Sequence, residues 1–353
     1  MVYRKSAPVD AIDEYSRRLV NALCDSGVPT DYVADGLSSA RRRVVNPRWI
    51  LLQYNPFSYG RWGFAPGLIA EALAFRLRMR VPLAISVHES WVDTDDPGRA
   101  RWRSMLMGTY QHAQLASLMR VADVVIAATQ ALVRKLGHDA IHVPVGSNLT
   151  PVPMTRMDAR LRLKLGGQVV VCLFGRGHPS RALEYASAAI NLLAEARGPD
   201  AVKVLNLGLE APELEVSRAI SMDTPGHLEA DELSVRLRAS DILLLPFTDG
   251  LSTRRTTLMA GLAHELPVVG LCGPGTDDIL SESREALTLT PVGDIGAFAR
   301  ATLELANDPN RLRASGEAGR TLYTKNFDWP IAAQRVRAAL ADQAGERRST
   351  TQA

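Results

Sequence analysis

Residues 168–193 read QVVVCLFGRGHPSRALEYASAAINLL. An unbroken apolar run ends at Gly175, a short polar loop follows, and from Arg181 onward apolar residues recur at helical spacing. A strand apolar along its whole length has both faces covered, which is the condition of a parallel sheet between helix layers. The same strand, turn and helix recur at 202–208 (VKVLNLG), 241–247 (DILLLPF), 267–273 (PVVGLCG) and 286–291 (ALTLTP). Upstream, strand candidates at 30–36, 48–56, 81–90, 122–129 and 140–146 alternate with amphipathic stretches at 10–27, 65–79 and 100–119. Between the two series the regularity lapses at NLTPVPMTRMDARLRLKLGG (148–167), which reads as a linker. The pattern predicts an α/β chain of two Rossmann-like domains, 1–150 and 151–330, then a helix at 331–345 and a disordered polar tail at 346–353. Only MVYRKSAPV precedes the first helix. That is too short and too charged for a central strand, so either the first sheet lacks its first strand or the reading frame extends upstream, and the second is expected.

Composition narrows the function. The 353 residues are 46% hydrophobic and 22% charged, too long for one typical core. With 41 basic and 38 acidic residues the net charge is +3, so no polycation is available for nucleic acid and any anion site must be local. Cys24, Cys172 and Cys272 are odd in number, far apart and set in apolar runs, against a disulfide framework or a zinc cluster. The first twenty residues carry charges throughout and nowhere is there an apolar run of membrane-spanning length, so a cytoplasmic protein is expected.

Ligands of open parallel sheets bind beyond the carboxyl ends of the strands. Three such places stand out: LFGRGHPSR (173–181), PFTDGLSTRR (246–255) and CGPGTDD (272–278). In the second, Ser252 or Thr253 is a suitable N-cap for a helix carrying Arg254 and Arg255 in its first turn. Two cations at the positive end of a helix dipole make sense chiefly if an anion sits there. Asp249 is placed to pair with one of them. The loop QYNPFSYGRWGFAPG (53–67) offers Tyr54, Asn55, Tyr59, Arg61 and Trp62 either to an acceptor or to the domain's own core. The acidic run Asp93 to Asp96 reads as a solvated loop, and no metal is expected.

The ordered set ADVVIAATQALVRKLG (122–137), LFGRGHPSRALEYASAAINLL (173–193), DGLSTRRTTLMAGLAHELPVVG (249–270) and the stretch 277–336 resembles the retaining GT-B glycosyltransferases related to glycan and sucrose-phosphate synthases. The resemblance implies sugar transfer from a nucleotide-diphosphate donor to a hydroxyl acceptor with retention, and no cofactor. It implies donor diphosphate contacts at Gly175, Arg176 and Arg181, where arginine replaces the family's lysine. It places His88 against the transferred sugar, and Gly273, Gly275, Thr276 and Asp277 at the sugar's other edge. The C-terminal helix is expected to pack back on the N-terminal domain. In the family two glutamates, eight positions apart, approach the donor sugar and ribose; here Ser252 and Ala260 stand in their places, and Asp249, three residues earlier, either replaces the first or simply pairs with an arginine. Two alternatives follow from that loss: a catalytically silent nucleotide-sugar-binding subunit, or an enzyme of the same fold that rearranges or hydrolyses nucleotide sugars.

Overall fold

The computed structural model describes residues 1–5, 10–93, 101–137, 139–208, 211 and 213–351. They form two compact units, Met1–Pro144 with Trp329–Ala353, and Val145–Asp328.

The first unit is built on parallel strands β1 (Ile50–Tyr54), β2 (Leu83–Val87), β3 (Val124–Ala127) and β4 (Ala140–His142), ordered β1-β2-β3-β4. Every residue of β1, β2 and β3 is buried, as their apolar composition requires. Beyond β1, Val2 bridges in parallel to both Leu52 and Val33. Its amide reaches Leu51 O at 2.9 Å, and Gln53 N reaches Val2 O at the same distance. Met1, Val2 and Tyr3 are buried. The sheet position expected to be vacant is thus held by a stub of chain. The 30–36 segment likewise shrinks to single bridges at Val33 and Asp35, because charged residues flank its one buried valine.

The helix Trp329–Thr351 belongs to this unit, with Trp329 against the Tyr15 ring at 5.5 Å and Arg337 Nη1 donating to Ser26 O at 3.1 Å. It runs on through 346–351, where the polar composition predicts a disordered tail. Of the acidic run 93–96 only Asp93 lies within the described residues, and it accepts from Lys135 Nζ at 2.7 Å.

The second unit contains β5 (Val169–Phe174), β6 (Val202–Leu207), β7 (Ser221–Asp223), β8 (Ile242–Leu245), β9 (Val268–Cys272) and β10 (Leu287–Pro291), all parallel, ordered β10-β9-β8-β5-β6-β7. The chain steps outward from β5 through β6 to β7, then returns to the other side of β5 with β8. The topological switch of this doubly wound sheet is therefore the gap between β5 and β8. The edge strand β7 escapes sequence reading because its three residues are all exposed and carry no apolar pattern. The segment 148–167 is not merely a linker: it contains the helix Arg156–Arg162, capped by Thr155 and held by Arg160 Nη1 on Asp241 Oδ2 at 3.0 Å.

A buried polar chain ties this unit together. Val152 N donates to Ser234 Oγ at 2.9 Å, and Ser234 Oγ lies 2.8 Å from His264 Nε2. His264 Nδ1 lies 2.7 Å from the Ala260 carbonyl, which only accepts, so Nδ1 carries the proton and Nε2 accepts from the serine. Burial, with Arg238 and Arg320 nearby, brings the His264 pKa down from 6.5 to about 4. The unfolded chain then binds the extra proton between those values, so stability is full above pH 6.5 and falls as pH drops toward 4, by up to about 1.4 kcal/mol per pH unit. Urea unfolding across this range is expected to show that contribution added to an equal one from His88, whose burial lowers its pKa to about 4 as well, and His264→Gln to remove about half of the summed slope.

Candidate functional site

At the switch between β5 and β8 the loops 175–182 and 246–255 run side by side. Ala182 N reaches Pro246 O at 2.9 Å, Thr248 N reaches Ser180 O at 2.9 Å, and Arg181 bridges Phe247 in antiparallel sense. Gly175 has φ +120, so the backbone favours glycine there, and a Cβ would lie 2.7 Å from Arg181 Nη2, which brings the guanidinium close against this turn. Arg181 folds back to donate to the Phe174 carbonyl, its guanidinium 5.6 Å from the Phe247 ring centroid. Arg255 Cζ lies over the same ring at 3.9 Å. Phe247 is thus a shared platform for two like charges. Its residue type and position placed it with the strand; the signal of its second role is an aromatic one step past a buried strand and before an arginine-bearing loop.

The electrostatics of this pair are unbalanced. Asp249 Oδ1 takes Arg255 Nη2 at 2.9 Å and Asp249 Oδ2 takes Arg254 Nη2 at 3.5 Å, so one carboxylate serves two arginines. Arg181 has no carboxylate partner among the described residues. Burial, reinforced by the Arg255 charge, brings its pKa down to about 10, which still leaves it cationic at neutral pH. Arg255 Nε is buried without a hydrogen-bond partner, as is Ser252 Oγ. A partly buried cation cluster of this kind is short of negative charge.

The helix after this loop starts later than its sequence suggests. It spans Thr256–Ala263, with Arg255 at the N-cap and no side-chain cap. Neither Ser252 nor Thr253 caps it, and Arg254 and Arg255 lie before its first turn. The reason is Asp277: fully buried, it accepts Thr253 N at 2.6 Å and Thr253 Oγ1 at 2.8 Å, drawing the threonine away from the helix end. The first-turn amides of the helix have no carbonyl partner within it. Thr257 sits in that turn, its methyl 3.1 Å from the position a Gly175 Cβ would take. Ala260, by contrast, is fully buried.

The 273–277 loop is spent on structure. Gly273 N donates to Thr276 Oγ1 at 2.9 Å, Gly275 N to Asp249 O at 2.8 Å and Thr276 N to Gly273 O at 3.0 Å. It supports Asp249 instead of presenting free amides. Arg176 is exposed just after Gly175.

In the first unit, Tyr54 and Tyr59 are buried and stack with ring centroids 6.3 Å apart, so they serve the core, the second of their two readings. Asn55 accepts from Phe57 N and caps the short helix Pro56–Tyr59. Arg61 and Trp62 are exposed. His88 Nε2 lies 2.7 Å from Gln53 Oε1, with the Tyr15 ring edge-on at 5.0 Å. Burial lowers its pKa to about 4, so the imidazole is neutral.

Residues 168–308 match the family described as Glycosyl transferases group 1. No curated protein matches the chain in sequence. Among solved structures, Anabaena HepE in complex with UDP and glucose is 13% identical at TM-score 0.64, over 97% of this chain and 98% of that one. The α,α-trehalose 6-phosphate synthase of Burkholderia multivorans is 16% identical at TM-score 0.63, over 98% and 79%. The sucrose-phosphate synthase of Thermosynechococcus elongatus is 15% identical at TM-score 0.62, over 97% and 83%. The chain has the GT-B fold, and residues 168–308 of its second unit match the glycosyl transferases group 1 model.

Proposed function

We propose that this protein transfers a sugar, with retention, from a nucleotide diphosphate to a hydroxyl acceptor, and that the second unit holds the donor. The observation that carries this is Arg181: a partly buried guanidinium beside Arg255, without a carboxylate of its own, at the switch point of a doubly wound sheet. A diphosphate supplies the missing charge. It gains further charge as the bond from its oxygen to the anomeric carbon breaks, so Arg181 and Arg255 bind it more strongly then than before. The acceptor oxygen bonds to the same face of that carbon, and its proton passes to the departing phosphate. With charge stabilised by arginines, turnover is proposed to need no metal and to survive EDTA. His88, neutral and with Nε2 engaged by Gln53, is proposed to accept from a sugar hydroxyl at Nδ1. Retention is checked by the anomeric configuration of the product in proton NMR. An inverted product or EDTA-sensitive turnover counts against the mechanism.

A second reading rests on Ser252 and Ala260, which bring no carboxylate to the places where the family has glutamates. If nucleoside diphosphate binds but no donor is turned over with any acceptor, the protein is a binding subunit. Binding itself is read from melting: a ligand at about a hundred times its dissociation constant adds about 2.7 kcal/mol. The double variant Arg254→Ala/Arg255→Ala is expected to abolish the shift given by UDP, GDP or ADP. Without ligand it loses at most about 1 kcal/mol, since Asp249 is 40% exposed and such pairs are weak.

A further inference from the structure

The helix Arg101–Val121 is inside out at its start. Ser104, Gly108, Gln111 and Gln114 face inward with a single large apolar residue, Met107, among them, while Trp102, Met105 and Leu106 face water, Trp102 at 64% exposure. A surface helix ordinarily does the reverse. The buried glutamines hold the preceding loop. Gln111 Nε2 donates to Trp62 O at 2.8 Å, Gln114 Oε1 accepts Ala65 N at 2.7 Å, and Gln114 Nε2 donates to Gly63 O at 3.1 Å. The loop so braced keeps Trp62 in the left-handed region, φ 58, which a bulky residue rarely adopts, and leaves it 59% exposed beside exposed Phe64. Trp102, Leu106 and Tyr110 recur every four residues and so share one helix face. The Tyr110 ring meets Phe64 edge-on at 5.2 Å. The loop and the helix therefore meet at Phe64 and Tyr110, with the exposed apolar residues of each on either side.

Cations accompany these residues in a repeated device. Arg61 lies 5.2 Å from the Trp62 ring centroid, and Arg103 lies 5.2 Å from that of Trp102. Neither they nor Arg101 have a carboxylate partner among the described residues. We propose that this face of the first unit seats in the interface of an anionic lipid bilayer, the indoles at headgroup level and Arg61, Arg101 and Arg103 on lipid phosphates. Amphipathic aromatic rings favour that depth, arginines carry the matching charge, and exposed apolar residues on both sides of that meeting point imply a covering surface. The charge complementarity selects lipid phosphate over a neutral surface. No helix among the described residues is long and apolar enough to cross a membrane, so the contact is one of lying on the bilayer.

The test is co-sedimentation of the full chain with phosphatidylcholine vesicles, with and without admixed phosphatidylglycerol. Binding to the anionic vesicles, weakening with salt and absent on neutral ones, is the expected result. Arg61→Gln and Arg103→Gln, which remove only the contact each makes with its neighbouring indole, are each expected to lower the partition about fivefold. Trp62→Ser/Trp102→Ser is expected to lower it at least about tenfold, with circular dichroism confirming the fold. Failure to bind anionic vesicles overturns the proposal, as does unchanged binding by the arginine variants. A lipid-free dimer dissolved by Trp62→Ser assigns the face to a second copy instead and also overturns it. The measurement uses no donor, so it stands or falls apart from sugar transfer.

Discussion

Arg181→Ala is expected to lower kcat/KM for the nucleotide-sugar donor on the order of a hundredfold. A single charge-assisted contact is worth roughly 2–3 kcal/mol, and each 1.36 kcal/mol of barrier is about tenfold in rate. The side chain carries little of the fold. It sits beside the like charge of Arg255 without a carboxylate of its own, and its guanidinium donates to the Phe174 carbonyl. Removal relieves a repulsion and frees one carbonyl, so the variant's unfolding free energy is expected to stay within about 1 kcal/mol of the parent. Arg181→Lys keeps the charge and loses the planar fork, and is expected to fall between the two. Near-normal turnover by a folded alanine variant would remove Arg181 from the reaction.

The largest effect on stability is expected at Asp277. Its buried carboxylate accepts both the amide and the hydroxyl of Thr253, and so sets the path of the chain from Leu251 to Arg255. Asp277→Ala leaves two buried donors without that acceptor, each costing about 1–3 kcal/mol, so a loss of about 3 kcal/mol is expected in urea unfolding. Asp277→Asn keeps one accepting oxygen and is expected to recover part of it. Because Arg254 and Arg255 hang from this turn, the alanine variant is also expected to lose the melting shift given by nucleoside diphosphate. A loss below about 0.5 kcal/mol would show that the turn is held by its other contacts, such as Leu251 N on Leu271 O and Val145 N on Thr253 O.

The sequence by itself determined the architecture, because burial on both faces writes a parallel strand as an unbroken apolar run and a covering helix as a recurring apolar stripe. Each of β1–β6 and β8–β10 except β4 is almost wholly apolar or buried, and all nine were legible within 48–56, 81–90, 122–129, 140–146, 168–175, 202–208, 241–247, 267–273 and 286–291. The exposed β7 and the stub at Val2 were not, since an edge strand or a single bridge needs a partner's backbone and leaves no pattern in its own side chains. That Arg181, Asp249, Arg254 and Arg255 fall just past buried strands was legible too, and with it their charge. Apart from a pairing of Asp249 with one arginine, their contacts were decided only by the tertiary structure. That Asp277 takes Thr253 from the helix end, that Asp249 divides itself between two arginines and that Phe247 lies beneath Arg181 and Arg255 all depend on residues 24, 5 or 6, and 66 or 8 positions apart meeting at one end of a sheet. Local sequence carries propensity and charge; which hydrogen bond or ion pair wins is settled by the distances that folding imposes.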